Sequence, residues 1–130
     1  MRNRELAAAI LLSLAIIGSA SAESRFERTL KMLSPPDRMA QLCDYTAMNH
    51  IRKDQRQFRP DRAVANARFD VRISGDMIEA KGGAFRSRGK WYAMSYTCKT
   101  SADHLSVLSF TYKIGAEIPE EKWAAYGLWQ

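Results

Sequence analysis

The feature that most constrains the fold is a turn signal between two segments in which apolar and polar residues alternate. Ser87-Arg88-Gly89 matches a three-residue hairpin loop whose last residue takes a positive φ, where glycine has no steric cost. This loop predicts two antiparallel strands that begin with Arg86 opposite Lys90. The pairs that follow are Phe85 with Trp91, Ala84 with Tyr92, Gly82 with Met94, Ala80 with Tyr96 and Ile78 with Cys98.

Because alternate pairs point to opposite faces of a sheet, this register predicts one apolar face and one polar face. The apolar residues are Ile78, Ala80, Gly82, Ala84, Tyr92, Met94, Tyr96 and Cys98. The polar residues are Glu79, Lys81, Ser95, Thr97 and Lys99. We therefore expect the first set to face the protein core.

Turn signals on both sides extend the predicted sheet to four strands. A Gly75-Asp76 turn places a strand over 67–73 beside the first strand, with Arg72 opposite Glu79 and Asp70 opposite Lys81. A loop from Thr100 to His104 adds the last strand. Its predicted pairs are Tyr96 with Leu108, Met94 with Phe110 and Tyr92 with Tyr112.

Helix signals flank this sheet. Ser34-Pro35-Pro36-Asp37 is a typical helix start, and an apolar stripe predicts a helix that continues to about Arg52. The stripe consists of Met39, Leu42, Cys43, Thr46, Ala47, His50 and Ile51. Residues 23–33 form a shorter amphipathic segment, and 118–121 opens a short C-terminal helix that ends at Gly127. Residues 53–62 are predicted to be an exposed basic connection.

The first 22 residues match a cleaved signal peptide. Arg2 and Arg4 precede an apolar run from Leu6 to Ile17, and the small residues Ala20-Ser21-Ala22 follow. We expect cleavage after Ala22, which leaves residues 23–130 as a single domain with no transmembrane segment. This domain has 18 Lys and Arg residues and 13 Asp and Glu residues, a net charge of +5.

The two cysteines are predicted to form a disulfide. Cys43 lies on the apolar stripe of the long helix, and Cys98 lies on the inner face of the sheet. In an oxidising compartment such a pair is more simply explained as a structural bond than as a metal or catalytic site. The predicted fold is therefore α+β: one long helix, bonded by one disulfide to a four-stranded antiparallel meander, with a short C-terminal helix.

Several segments of the chain resemble a known family, the domain of unknown function nine hundred and thirty. They are Leu33 to Arg38, Cys43-Asp44, Arg59-Pro60-Asp61, Gly83 to Tyr92, Cys98 and Gly115 to Pro119. The hairpin string from Gly83 to Tyr92 is the most specific of them. The resemblance implies an exported protein of Gram-negative bacteria in an envelope or periplasmic setting. It implies no activity and no catalytic residue.

The hairpin tip is the candidate binding site, because cations and aromatic rings coincide there. The candidate residues are Phe85, Arg86, Arg88, Lys90, Trp91 and Lys113, with Lys113 expected opposite Trp91. Such a cluster binds anions through charge-assisted hydrogen bonds and stacking. In the alternative interpretation the C-terminal residues Trp123, Leu128 or Trp129 cover Phe85 and Trp91 as a second small core.

The remaining candidates for catalytic or metal-binding residues are two histidines and one aspartate. His50 and His104 are the two histidines, and neither has the spacing of a metal ligand. Asp44, beside Cys43, is interpreted as a solvated helix residue. The sequence therefore predicts no catalytic residue, no metal and no cofactor.

These observations lead to two functional expectations. The first is a non-catalytic periplasmic or secreted protein that binds an anionic envelope component or a protein, and not nucleic acid, through the basic hairpin. The second is a small periplasmic hydrolase or transferase with a site in a cleft between the sheet and the connection. Converging Asp and His side chains in a deep pocket would favour the enzyme, and a flat basic surface would favour binding.

Overall fold

A computed structural model describes residues 23–130, so the predicted signal peptide lies outside the described residues. Two helices come first: α1 (Arg25–Lys31) and α2 (Pro35–Asp54). Five strands follow: β1 (Pro60–Val64), β2 (Arg72–Ser74), β3 (Met77–Ser87), β4 (Lys90–Thr100) and β5 (Val107–Glu117). None of the helices in this part of the chain is long and apolar enough to cross a membrane.

The long helix begins and ends close to its predicted bounds. Two prolines occupy its first turn, where their missing N–H groups leave no hydrogen bond unmade. The Ser34 hydroxyl donates to Asp37 Oδ2 at 2.8 Å instead of accepting from the helix backbone. The buried stripe is Met39, Leu42, Cys43, Ala47 and Ile51.

The antiparallel meander β2-β3-β4-β5 is present, and the fold is α+β as predicted. A fifth strand was missed, since β1 begins in the segment that we interpreted as a connection. It pairs with the C-terminal half of β3, whereas β2 pairs with the N-terminal half. β1 is an edge strand of five residues with exposed Asp61 and Arg62, so it lacks the apolar alternation that marks a longer strand.

The turn between β3 and β4 has two residues, not three. Arg88 and Gly89 have φ values of 53° and 76°, as in the type I′ turn that matches strand twist. Ser87 therefore pairs with Lys90, and Phe85 pairs with Tyr92. The predicted pairing of Phe85 with Trp91 is wrong by one residue.

A β-bulge between Ala80 and Gly83 cancels this one-residue difference from the predicted pairing in the N-terminal half of β3. Beyond it, Ala80 pairs with Tyr96 and Ile78 with Cys98, as predicted. A bulge adds one residue to one strand and reverses its faces. Phe85 therefore faces α2, and Ala84 faces the opposite side with Trp91.

The glycine pair at the bulge packs against Phe69, Val64 and Met94 and not against α2. It lies under the segment between β1 and β2, where Arg68 N donates to Gly82 O at 2.8 Å. A Cβ atom on Gly82 would lie 2.5 Å from Phe69 Cδ2. Residues 67–71 of the predicted strand therefore do not pair with β3, and only Arg72–Ser74 does.

The register of β4 with β5 is four residues from the predicted one. Tyr96 pairs with Tyr112 instead of Leu108, and Met94 pairs with Ile114. The connecting loop is longer than expected, and Ser101 N donates to Ser106 O at 2.8 Å to close it. A shift of four preserves the faces, so Phe110 and Tyr112 pack against the main core.

The disulfide between Cys43 and Cys98 joins α2 to β4, as predicted. The two Cα atoms are 6.0 Å apart, and both residues are fully buried. The bond closes a loop with a sequence separation of 55 residues, for which chain entropy gives a stabilisation of about 4 kcal/mol. It lies within the main core between α2 and the sheet.

The other face of the sheet carries a second, smaller core. Its members are Ala84, Trp91, Ile118, Trp123 and Leu128. The predicted C-terminal helix is instead a pair of 3-10 turns, Glu120–Lys122 and Ala124–Tyr126. The two cores explain why the helix and the C-terminal segment lie on opposite faces.

We predict that Gly82→Ala lowers the free energy of unfolding by about 1–3 kcal/mol, the usual range for overpacking. The new Cβ meets the Phe69 backbone nitrogen at 2.6 Å as well as its ring. The additional change Phe69→Ala therefore does not restore stability. Gly83→Ala is the control and is expected to be milder, since its nearest heavy atoms are 3.2–3.3 Å away. Urea unfolding of the three variants tests this, and rescue by Phe69→Ala would contradict it.

Candidate functional site

The two aromatic residues of the predicted binding site lie on opposite faces of the sheet. Both are fully buried. Phe85 stacks on Tyr92 at a centroid distance of 5.4 Å, inside the main core. Trp91 lies in the second core, and its Nε1 donates to the carbonyl oxygen of Trp129 at 2.7 Å. Neither ring is therefore available to stack on a ligand, and the covered-core interpretation describes Trp91.

Arg86 joins three parts of the fold. Its Nε and Nη2 donate to the two carboxylate oxygens of Asp61 at 3.0 and 2.9 Å, which links β3 to β1. Its guanidinium lies 5.9 Å from the ring centroids of both Trp91 and Trp129. The hydrogen bonds from Arg86 hold the pKa of Asp61 below its usual value. Because its side chain is only 13% exposed, Arg86 stabilises the hairpin tip and offers little surface to a partner.

Arg88 and Lys90 remain at the surface of the tip. Both residues are exposed. Lys90 Nζ lies 3.4 Å from Glu117 Oε1, in an ion pair that is open to solvent on both sides. Exposed pairs of this kind contribute little to stability, so Lys90 can exchange Glu117 for another anion at low cost.

Lys113 does not belong to the tip. It pairs with Ser95 in the middle of the sheet, and our expectation that it lies opposite Trp91 is wrong. The reason is the register of β5, which is shifted by four residues. Lys113 instead lines a shallow depression of about 210 Å³ on the polar face, with Lys81, Ser95 and Thr111.

The structure adds cations to the tip that the sequence did not place there. Pairing of β1 with β3 puts Pro60 opposite Ser87 and Arg62 opposite Arg86. The backbone N–H of Arg59 donates to Ser87 Oγ at 2.7 Å. At the end of α2, Arg52 Nη2 donates to Pro60 O at 2.6 Å. The basic connection and the hairpin therefore meet at one end of the sheet.

We call these exposed cations the basic end: Arg52, Lys53, Arg56, Arg59, Arg62, Arg88 and Lys90. Residues 52–62 and 86–90 contain eight Lys and Arg residues and two Asp residues. The rest of the described chain contains ten such cations and eleven carboxylates. The positive charge of the domain is therefore concentrated here, where it attracts and orients anions.

A second feature lies between α2, β1 and the sheet. A cavity of about 240 Å³ is lined by Ala40, Asp44, Ala63, Val64, Ala65, Asn66, Val71, Ile73, Ile78 and Tyr96. The Tyr96 hydroxyl donates to Asp44 Oδ1 at 2.9 Å. Burial raises the pKa of Asp44 to about 7, and the hydrogen bond from Tyr96 opposes that rise. Asp44 is therefore not the solvated helix residue that we expected.

The histidines do not join this cavity. His50 is exposed and packs on Phe110 at a centroid distance of 4.9 Å. His104 lies in the loop after β4, with Nδ1 2.9 Å from Thr100 Oγ1. Within residues 23–130, no group of three or more His, Cys, Asp or Glu side chains could hold a metal ion.

The raised pKa of Asp44 predicts that the folded state becomes less stable as pH rises. The folded state keeps a proton between about pH 4 and pH 7 that the unfolded chain has lost, so the free energy of unfolding falls as pH rises through this window. Between about pH 5 and pH 8 we expect a loss of about 2–3 kcal/mol from this group, at about 1.4 kcal/mol per pH unit below the folded-state pKa. Asp44→Asn should remove the loss, whereas Asp70→Asn, at an exposed position, should keep it. Urea unfolding at both pH values measures it, and equal pH dependence in wild type and Asp44→Asn would contradict the assignment.

Comparison with known proteins identifies a family. A family model described as Domain of Unknown Function (DUF930) matches residues 30–128. No curated protein and no solved structure matches the chain. The matched residues include α2, all five strands and the C-terminal turns. The chain therefore belongs to the family described as Domain of Unknown Function (DUF930).

Proposed function

We propose that this protein is an exported, non-catalytic protein of the periplasm or cell envelope that binds an anionic partner through the basic end. The observation that carries the proposal is the concentration of charge: eight cations and two carboxylates in residues 52–62 and 86–90. In the remaining described residues cations do not outnumber carboxylates, since these residues include ten cations and eleven carboxylates.

The stiff hairpin that carries part of the basic end favours recognition of a partner. Arg88 lies on the two-residue turn between two strands of eleven residues each, and Lys90 is the first residue of the second strand. The Arg86–Asp61 pair connects this hairpin to β1. Side chains on a stiff support lose less conformational freedom on binding than side chains on a loose loop. The partner classes that fit are an anionic glycan, a lipid headgroup and an acidic protein segment.

Export is part of the proposal. The leader over residues 1–22 has the order of charged, apolar and small residues that is typical of a signal peptide. The disulfide between Cys43 and Cys98 supports an oxidising compartment, because structural disulfides persist there. A periplasmic or secreted location makes an anionic envelope component a more suitable partner than nucleic acid.

The alternative, a small periplasmic hydrolase or transferase, has one supporting observation. The cavity that contains Asp44 is a cleft between the sheet and the segment after β1, and its carboxyl has a raised pKa. Neither histidine is among the residues that line it, and neither is a Ser, Thr or Cys side chain. A catalytic site needs a nucleophile or a base with an orienting partner. Binding at the basic end is therefore the better supported proposal.

We predict that four neutralising changes in the basic end weaken binding to polyanions by about tenfold or more. Exposed charge pairs contribute about 0.2–1 kcal/mol each, so four lost contacts reach this range. The variant is Arg59→Gln, Arg62→Gln, Arg88→Gln and Lys90→Gln, and the measurement is the salt concentration that elutes it from a dextran sulfate column. It should elute earlier than wild type and melt at nearly the same temperature.

A charge-matched control separates a site from net charge alone. It replaces Arg25, Arg72, Lys99 and Lys122, four exposed cations outside the basic end, with glutamine. This control should elute close to wild type. Equal loss of retention in the two variants would show that total charge, not the basic end, sets binding. Pull-down from an envelope extract at low and high salt then identifies the partner.

Export is tested by the mass of the protein from the envelope fraction of a Gram-negative host. We expect a chain that begins at Glu23 and carries the Cys43–Cys98 bond, because the leader is cut after Ala22. The control is the same chain with Ala20→Arg and Ala22→Arg, which removes the small residues at the cleavage site. Recovery of the wild-type chain with Met1 and the whole leader would contradict the proposal.

A further inference from the structure

The cavity that contains Asp44 has the composition of a small-molecule site. Eight of its ten lining residues are apolar or amide side chains, and the other two are Asp44 and Tyr96. Ligand sites in proteins combine apolar walls with a few converging polar groups that orient the ligand. Ile73, at the edge of the cavity, leaves 52% of its surface exposed to solvent. The cavity therefore has both an apolar rim and a polar anchor.

The carboxyl of Asp44 has one oxygen committed to the fold and one free for a ligand. Oδ1 accepts the hydrogen bond from Tyr96 at 2.9 Å. No described residue donates to Oδ2, although the carboxyl lines the cavity. Ionisation of a largely buried carboxyl is costly, and a charged hydrogen-bond donor at Oδ2 offsets that cost.

We propose that this cavity binds a small apolar molecule that carries one amine, with Asp44 as the counterion of the ammonium group. The ammonium donates to Asp44 Oδ2, and the alkyl part packs on the walls from α2, β1 and β3. Tyr96 holds Oδ1 and so fixes the direction of the carboxylate. This binding is separate from the basic end, since it selects cations and not anions.

The charges around the cavity limit the class of ligand. From α2 the walls present Ala40 beside Asp44, and from β1 they present Ala63 and Val64. The loop after β1 and the strands β2 and β3 contribute Ala65, Asn66, Val71, Ile73 and Ile78. Tyr96, from β4, is the second titratable group that faces Asp44. With no cation in the lining, an amino acid with a free carboxylate has no partner for that group and is disfavoured.

Binding of an ammonium group requires the ionised carboxylate, so affinity should rise with pH. Burial raises the pKa of Asp44 to about 7, and the competent fraction therefore grows through neutral pH. The apparent dissociation constant equals the intrinsic constant divided by this fraction. Between about pH 6 and about pH 8 the fraction changes from roughly one tenth to roughly nine tenths, which predicts about tenfold tighter binding.

The experiment uses a matched pair of probes on the disulfide-bonded protein. The probes are 3-methylbutylamine and its neutral analogue 3-methylbutan-1-ol, and binding is followed by NMR titration at about pH 6 and about pH 8. We expect the amine to bind about tenfold more tightly at the higher pH. The alcohol should bind more weakly than the amine there, with no gain at high pH. Shifted resonances should include the amides of Asp44, Val71 and Tyr96.

Two variants separate the counterion role from a structural one. Asp44→Asn should abolish both the preference for the amine and its pH dependence. Tyr96→Phe removes the hydrogen bond that opposes the raised pKa, so the pH at which the amine binds should move upward while the amine remains preferred. The folded state of each variant is checked from its amide spectrum.

The wild-type protein alone can overturn the proposal. Equal affinity for amine and alcohol at about pH 8 would mean that Asp44 is not a counterion. Tighter binding of the alcohol would make the cavity a site for neutral ligands, and binding of neither probe would mean that the cavity is only a packing defect. Undiminished binding of the amine to Asp44→Asn would likewise place the cation elsewhere.

Discussion

One extra residue in β3 determines how the rest of the molecule is arranged. The bulge between Ala80 and Gly83 reverses the faces of the strand, so that Phe85 and Trp91 point to opposite sides of the sheet. Each large ring then needs a cover of its own, because leaving it exposed forfeits about 1.5–3 kcal/mol of hydrophobic stabilisation. The long helix α2 and the segment around Phe58 cover one side, and the C-terminal turns cover the other. Without the bulge, both rings would lie on the outer face and the main core would lose Phe85.

The same arrangement creates the basic end. Burial of Trp91 brings the C-terminal residues beside Arg86, whose guanidinium then lies between two tryptophan rings and the Asp61 carboxylate. This contact holds β1 against β3 and places Arg62, with Arg59 just before the strand, beside the hairpin. The partly buried Arg86 therefore positions several exposed cations. The residues that stabilise this hairpin are therefore distinct from its exposed cations, which can vary without loss of the fold.

Asp44 places a carboxyl at the edge of the main core, beside Tyr96. The buried residues Cys43 and Ala47 lie close to it on α2, and Tyr96 is its hydrogen-bond donor within the described residues. A carboxyl in such a setting costs stability when it is ionised, and an alanine or leucine there would avoid that cost. Retention of a costly group in a partly open cavity is a general mark of functional sites.

The sequence by itself determined the fold class, the extent of α2, the order of the meander and the disulfide between Cys43 and Cys98. The elements rest on periodicity and helix-start residues, which can be read over a few neighbouring positions. The disulfide follows because the chain has only two cysteines that could pair. Only the tertiary structure decided the bulge, the strand β1, the register of β5 and the burial of Phe85 and Trp91. Each of these depends on contacts between residues far apart in the chain, such as Phe69 with Gly82 and Trp91 with Trp129. A register shift of one residue costs nothing in local pattern but exchanges the two faces of a strand, and packing alone selects between them.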